Sequence, residues 1–135
     1  TISKINFDNI KILDKKIEIG STNVDIDARA KLDFDNGFVS LVNTSFLEDL
    51  GTETIINGTE GIMRIKDPWR SEPSIINLEG KFNEEIEVKF NNNIFSYEIN
   101  AISKDILEKK LVPNFPGVTI NESIGLTKIL QNWMN

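Results

Sequence analysis

Val24-Asp25-Ile26-Asp27-Ala28-Arg29-Ala30-Lys31-Leu32-Asp33-Phe34, then Asp35-Asn36-Gly37, then Phe38 to Phe46, is the stretch that decides the fold. Val24, Ile26, Ala28, Ala30, Leu32 and Phe34 fall on one parity, and Asp25, Asp27, Arg29, Lys31 and Asp33 on the other. Strict period two over this length predicts a strand with one dry face and one charged face. Asp35-Asn36-Gly37 is a hairpin turn, in which Asn or Gly takes a positive φ. The returning segment carries Phe38, Val42 and Phe46 on one parity and Val39 and Leu41 on the other. A strand apolar on both parities is expected to be covered on both faces, at least at one end.

Upstream, Ile5 and Phe7 alternate with polar neighbours, and Ile10 and Ile12 shift parity, which predicts a strand broken near Asn9. Gly20 to Asn23 is a turn cluster. Downstream, strands are expected around Thr52–Asn57, Gly61–Lys66, Ser74–Leu78 and Glu84–Phe90, with a glycine hairpin at Gly58-Thr59-Glu60-Gly61. The period then changes. Phe95, Ile99, Ile102 and Ile106 are spaced as one helix face. Leu111 to Gly117 holds two prolines and reads as a connection. Thr119-Ile120-Asn121-Glu122 is a capping box opening a last helix, whose apolar face is Leu126, Ile129, Leu130 and Trp133. Strands followed by helices predict one α+β domain over residues 1–135: a large, mostly antiparallel sheet, helices on one face, the other face open for oligomerisation.

Composition narrows the chemistry. The chain has 135 residues, net charge −6, no cysteine and no histidine. The first two figures fit one domain and disfavour nucleic acid or an anionic membrane. The missing residue types remove disulfides, thiolate sites, and the side chain most used for proton transfer near neutral pH. A serine nucleophile has no histidine to serve it. Asp25, Asp27 and Asp33 share a strand face with Arg29 and Lys31, so charge pairing accounts for them better than a metal. Gly58 and Gly61 lack the following helix and Lys-Ser/Thr of a phosphate loop. The absence of cysteine fits a cytoplasmic location, and no apolar stretch is long enough to span a bilayer. The first residue is Thr, so the chain is read as a processed, trimmed or excised piece. Asp67-Pro68-Trp69-Arg70 is the candidate binding element. Trp69 beside Arg70 in a Pro-bounded loop can stack on a sugar ring and bind its hydroxyls, or can pack on the sheet edge with Arg70 lying over it.

Val24-Asp25-Ile26-Asp27 with Leu32-Asp33-Phe34-Asp35-Asn36-Gly37, the hairpin Gly58 to Gly61, Tyr97-Glu98 at a helix start, and Pro116-Gly117-Val118-Thr119 before Glu122-Ser123 occur in that order. Together they resemble the C-terminal domain of the glucose–fructose oxidoreductase / inositol dehydrogenase (Gfo/Idh/MocA) family, two-domain NAD(P)-dependent enzymes acting on sugars and polyols. The chain has neither the family's glycine-rich dinucleotide fingerprint nor its Glu-Lys-Pro and Asp-x-x-x-His segments. The resemblance therefore implies a substrate-binding and oligomerisation domain that holds no catalytic, cofactor or metal residue of its own. NAD or NADP would bind an N-terminal Rossmann domain of the parent, Trp69 and Arg70 would be substrate-side, and the open sheet face would join copies into a homo-oligomer. A free-standing dimeric binding or scaffolding module without catalytic activity is the alternative.

Overall fold

The computed structural model describes residues 6–35, 37–69, 74–89, 93–114 and 117–135, and the side chain of Ile94 is outside that description. The described residues hold seven strands, all paired antiparallel, and two α-helices, an α+β fold. The strands, expected in one sheet, are hydrogen-bonded as two sheets, of three and four strands. They belong to two compact units. One is made of the chain through Leu50 together with the segment from Val118; the other is Gly51–Gly117.

The first unit is built on strands β1 (Lys11–Ile19), β2 (Asp25–Asp33) and β3 (Val39–Ser45), in that order across the sheet. Pairing places Ile12 opposite Leu32, Lys15 opposite Ala30 and Ile17 opposite Ala28; across β3, Val42 faces Ala30. The even positions of β2 are the core: Ala28, Ala30 and Leu32 are 3%, 5% and 8% exposed. Two alanines at the centre leave room for a large residue from the covering helix, and Trp133 fills it. That helix, α2 (Ile120–Met134), starts with the expected capping box. The Glu122 N–H donates to Thr119 Oγ1 at 3.2 Å, and the Thr119 N–H donates to Glu122 Oε2 at 2.7 Å. The Thr119 N–H and then its hydroxyl, both donating to Glu122 Oε2, hold the Glu122 carboxyl below its usual range, and its charge sits favourably at the positive helix end.

The other end of α2 is closed by the sheet. Lys15 Nζ donates to the carbonyl oxygens of Asn132 and Trp133 at 3.0 and 3.2 Å. The last carbonyls of a helix have no partner within it, and a cation there also meets the negative dipole end. The alternation expected at Ile5 and Phe7 does not continue as a strand across Asn6 to Asn9: Phe7–Asn9 is a single 3₁₀ turn, with Asn6 Oδ1 accepting from the Asp8 N–H at 3.1 Å. The strand begins only at Lys11, and its pairing with β2 is irregular between Ile12 and Asp14, leaving Leu13 half-exposed, and again between Glu18 and Ile19. Residues 1–5 lie outside the described set.

The second unit is a meander of β4 (Thr54–Gly58), β5 (Gly61–Ile65), β6 (Ser74–Gly80) and β7 (Glu84–Val88), followed by α1 (Ile94–Leu107). The register sorts its side chains by face. Ile56, Met63 and Leu78 are in line across three strands, and Ile65, Ile76 and Ile86 form the next row. The opposite face carries Arg64, Asn77 and Glu85 in one row, with Arg64 paired to Glu53 at 3.2 Å and Glu79 at 3.4 Å. Among the described residues no helix is long and apolar enough to cross a membrane.

Candidate functional site

The turn after β5 presents the candidate residue. The ladder closes with the Lys66 N–H donating to the Ile75 carbonyl at 3.1 Å, and the Ser74 hydroxyl donates to the Lys66 carbonyl. Asp67 then adopts a left-handed φ of 49°, a conformation Asp tolerates better than most residues. Pro68 fixes the next φ and has no N–H to extend the ladder. The chain leaves the sheet there, and Trp69 is 75% exposed. Its ring is not packed on the sheet edge. Arg70 lies outside the described residues, so its place beside Trp69 is not part of the site geometry. An exposed indole on a braced turn offers a flat apolar face for a ring and one N–H donor.

The other charged arrangement is on the odd face of β2. Arg29 donates to Asp27 through Nε to Oδ2 at 3.3 Å and Nη2 to Oδ1 at 3.4 Å, and Nη2 also pairs with Glu48. The Arg29 bonds, followed by one from Ser45, hold the Asp27 carboxyl below its usual range, and the same contacts raise Arg29. Asp27 is only 4% exposed. Alternation assigns it to the open face; the arginine and the Ser45 side that lie over it remove it from water. A carboxylate held ionised by a bidentate arginine is a poor proton acceptor near neutral pH. The arrangement fixes the strand face and offers no acid–base pair. Among the described residues no three acidic side chains converge on a point where a metal could sit.

Two open grooves lie among the described residues. One, of about 500 Å³, lies in the first unit between Ile10, Ile12, Lys15, Ile129 and Asn132. The other, of about 430 Å³, lies in the second unit over Ile56, Met63, Leu78 and Phe82, rimmed by the Gly58–Gly61 turn. Sequence reading named neither, because each is framed by residues from separate segments. Trp69 lines neither of them. Compared with protein-family models and with curated proteins, the chain matches none.

Proposed function

We propose that the chain is the C-terminal substrate-binding and oligomerisation domain of a cytoplasmic NAD(P)-dependent sugar or polyol oxidoreductase of the Gfo/Idh/MocA type. The observation that carries the reading is the order of four motifs: Val24-Asp25-Ile26-Asp27 with Leu32 to Gly37, then Gly58 to Gly61, then Tyr97-Glu98, then Pro116 to Thr119 with Glu122-Ser123. Hydride transfer would belong to a Rossmann domain that carries the dinucleotide and the proton-transfer residues. This domain would shape the pocket, with Trp69 as a stacking platform for a sugar or polyol and Arg70 as its hydrogen-bonding neighbour. The exposure of Trp69 supports that role, since a ring already packed has no face to offer. Val39 and Leu41, both exposed on the charged face of the three-stranded sheet, support contact between copies there, with Arg29 and Lys31 at its rim.

The test uses the complete protein that contains this sequence. Calorimetric titration with NAD⁺ and NADP⁺, followed by assay of reduced nicotinamide over a panel of sugars and polyols, is expected to give dinucleotide binding and oxidation of at least one substrate. Trp69→Ala is expected to raise KM with kcat little changed, the mark of lost uniform binding. A complete protein that binds neither dinucleotide overturns the reading in favour of a binding or scaffolding module.

A further inference from the structure

The second unit carries two apolar surfaces that each lack a counterpart. Phe95, Ile99, Ile102 and Ile106 form one stripe of α1 and are 62%, 62%, 59% and 69% exposed. Among the described residues no strand or other helix packs extensively along this helix. The second surface is the face of the four-stranded sheet made by Ile56, Met63, Ile65, Ile76, Leu78 and Ile86. The 430 Å³ groove opens on that face. Its other face is mixed: Ile55, Ile62 and Ile75 stand there among Asn77, Glu85, Glu87 and the Arg64 that bridges Glu53 and Glu79.

We infer that α1 is a strap that closes over this apolar face of its own sheet, its stripe entering the groove. Three observations select its own helix over any other occupant. The lengths agree: the 14 residues of α1 span about 21 Å, and the 7 residues of β6 about 23 Å. The direction agrees as well. β7 ends at Val88 opposite Ser74, so a helix returning from that end runs back along the sheet toward Gly80 and the Gly58–Gly61 turn, where the groove lies. The tether is short, residues 89–93 between β7 and α1. A tether of that size gives an effective concentration in the millimolar range, far above that of a second copy at about micromolar. An amphipathic helix and a sheet with an apolar face gain by burying these faces against each other.

The chain has no cysteine, so one introduced thiol reads the closure. The variant Ile102→Cys is labelled with a small maleimide, with Leu111→Cys as the control at a position that is 99% exposed. Closure is expected to slow labelling at position 102 at least about tenfold relative to the control, at every protein concentration. Adding Ile86→Asp, a charge on the sheet face at a site already partly open, is expected to restore the control rate. Labelling as fast as the control overturns the proposal. Slowing that grows with protein concentration overturns it in favour of a second copy. Slowing that Ile86→Asp leaves unchanged overturns it in favour of another surface of the chain.

Discussion

Phe7 occupies the space that a side chain at Gly125 would need: an ideal Cβ there would lie 2.8 Å from Phe7 Cδ1 and closer still to Cβ and Cγ of the same side chain. Gly125 is buried in the first half of α2, against the 3₁₀ turn. Two effects oppose each other when it is changed to alanine. Helix propensity gains about 1 kcal/mol. The overlap with the root of the Phe7 side chain, which no rotamer change relieves, costs about 1–3 kcal/mol. Gly125→Ala is therefore expected to be net destabilising in urea unfolding. In the background of Phe7→Gly, which removes Cβ along with the ring, the same change is expected to turn stabilising. Equal effects in both backgrounds would show that the ring does not set the glycine.

A charge at Ala28 tests the face assignment of β2. Ala28 is 3% exposed and packs in the cluster with Trp133. Ala28→Asp puts an uncompensated carboxylate there and is expected to cost about 3–5 kcal/mol, with Trp133 fluorescence shifting to the red as its pocket opens. Lys31→Gln, on the opposite parity and exposed, is expected to change stability by less than about 0.5 kcal/mol. A melting curve for Ala28→Asp that overlays the parent sinks the assignment.

Gly80 faces Gly61 across the β5–β6 ladder. Its φ is +135°, and a Cβ would fall 2.6 Å from both the Glu60 carbonyl oxygen and Gly61 Cα. Both neighbours are backbone, so neither can swing away. Gly80→Ala is expected to lose about 2 kcal/mol or more, and amide exchange should rise in β4 to β7 while β1 to β3 keep their protection. Uniform loss of protection across both sheets would mean that the two units do not open separately.

Acid should act through Asp27. Its carboxyl titrates below the ordinary value of 3.8, chiefly because Arg29 donates to it. The unfolded chain then binds the proton more readily than the folded chain. The stability from this group is present in full above 3.8 and is lost as the pH falls through the lower folded value. Urea midpoints measured from about pH 5 down to pH 2 are expected to fall less steeply in Asp27→Asn than in the parent. Parallel slopes would place the acid sensitivity elsewhere, in groups such as Glu122 and Glu108 that are also held low.

The parts of the fold that were legible are those where one physical rule acts alone. Alternation gave the buried parity of β2 because nothing competes with a sheet that is wet on one side. Thr119 and Glu122 gave the start of α2 because both halves of the capping box are local. Asp27 shows the limit of the same rule. Alternation put it on the charged face with Arg29, where it is, but its near-complete burial was not legible, because that comes from Arg29 and Ser45, the second of which arrives only when β3 pairs. Gly125 carries no local signal, since its reason is Phe7 in a distant part of the sequence. The exposure of Trp69 follows from the left-handed turn at Asp67, which composition does not reveal. The division of seven strands into two sheets depends on which edges meet, and strand patterns are silent on that. For α1 the stripe was legible, while its exposure was not.

The first unit is completed by residues that the ribosome makes only after the whole of the second unit. Its sheet is finished by Leu50, yet α2 begins only at Ile120, after the whole of Gly51–Gly117. At about 5–20 residues per second the intervening segment takes several seconds to synthesise. Through that interval Ala28, Ala30 and Leu32 wait without Trp133, and Lys15 has no helix end to hold. The inserted unit is contiguous and is free to form first. Joining the two pieces across it also closes a loop of 67 residues, with a chain-entropy cost of about 4 kcal/mol. During synthesis the three-stranded sheet thus stays uncovered after its own strands are complete, until the segment from Val118 has been made.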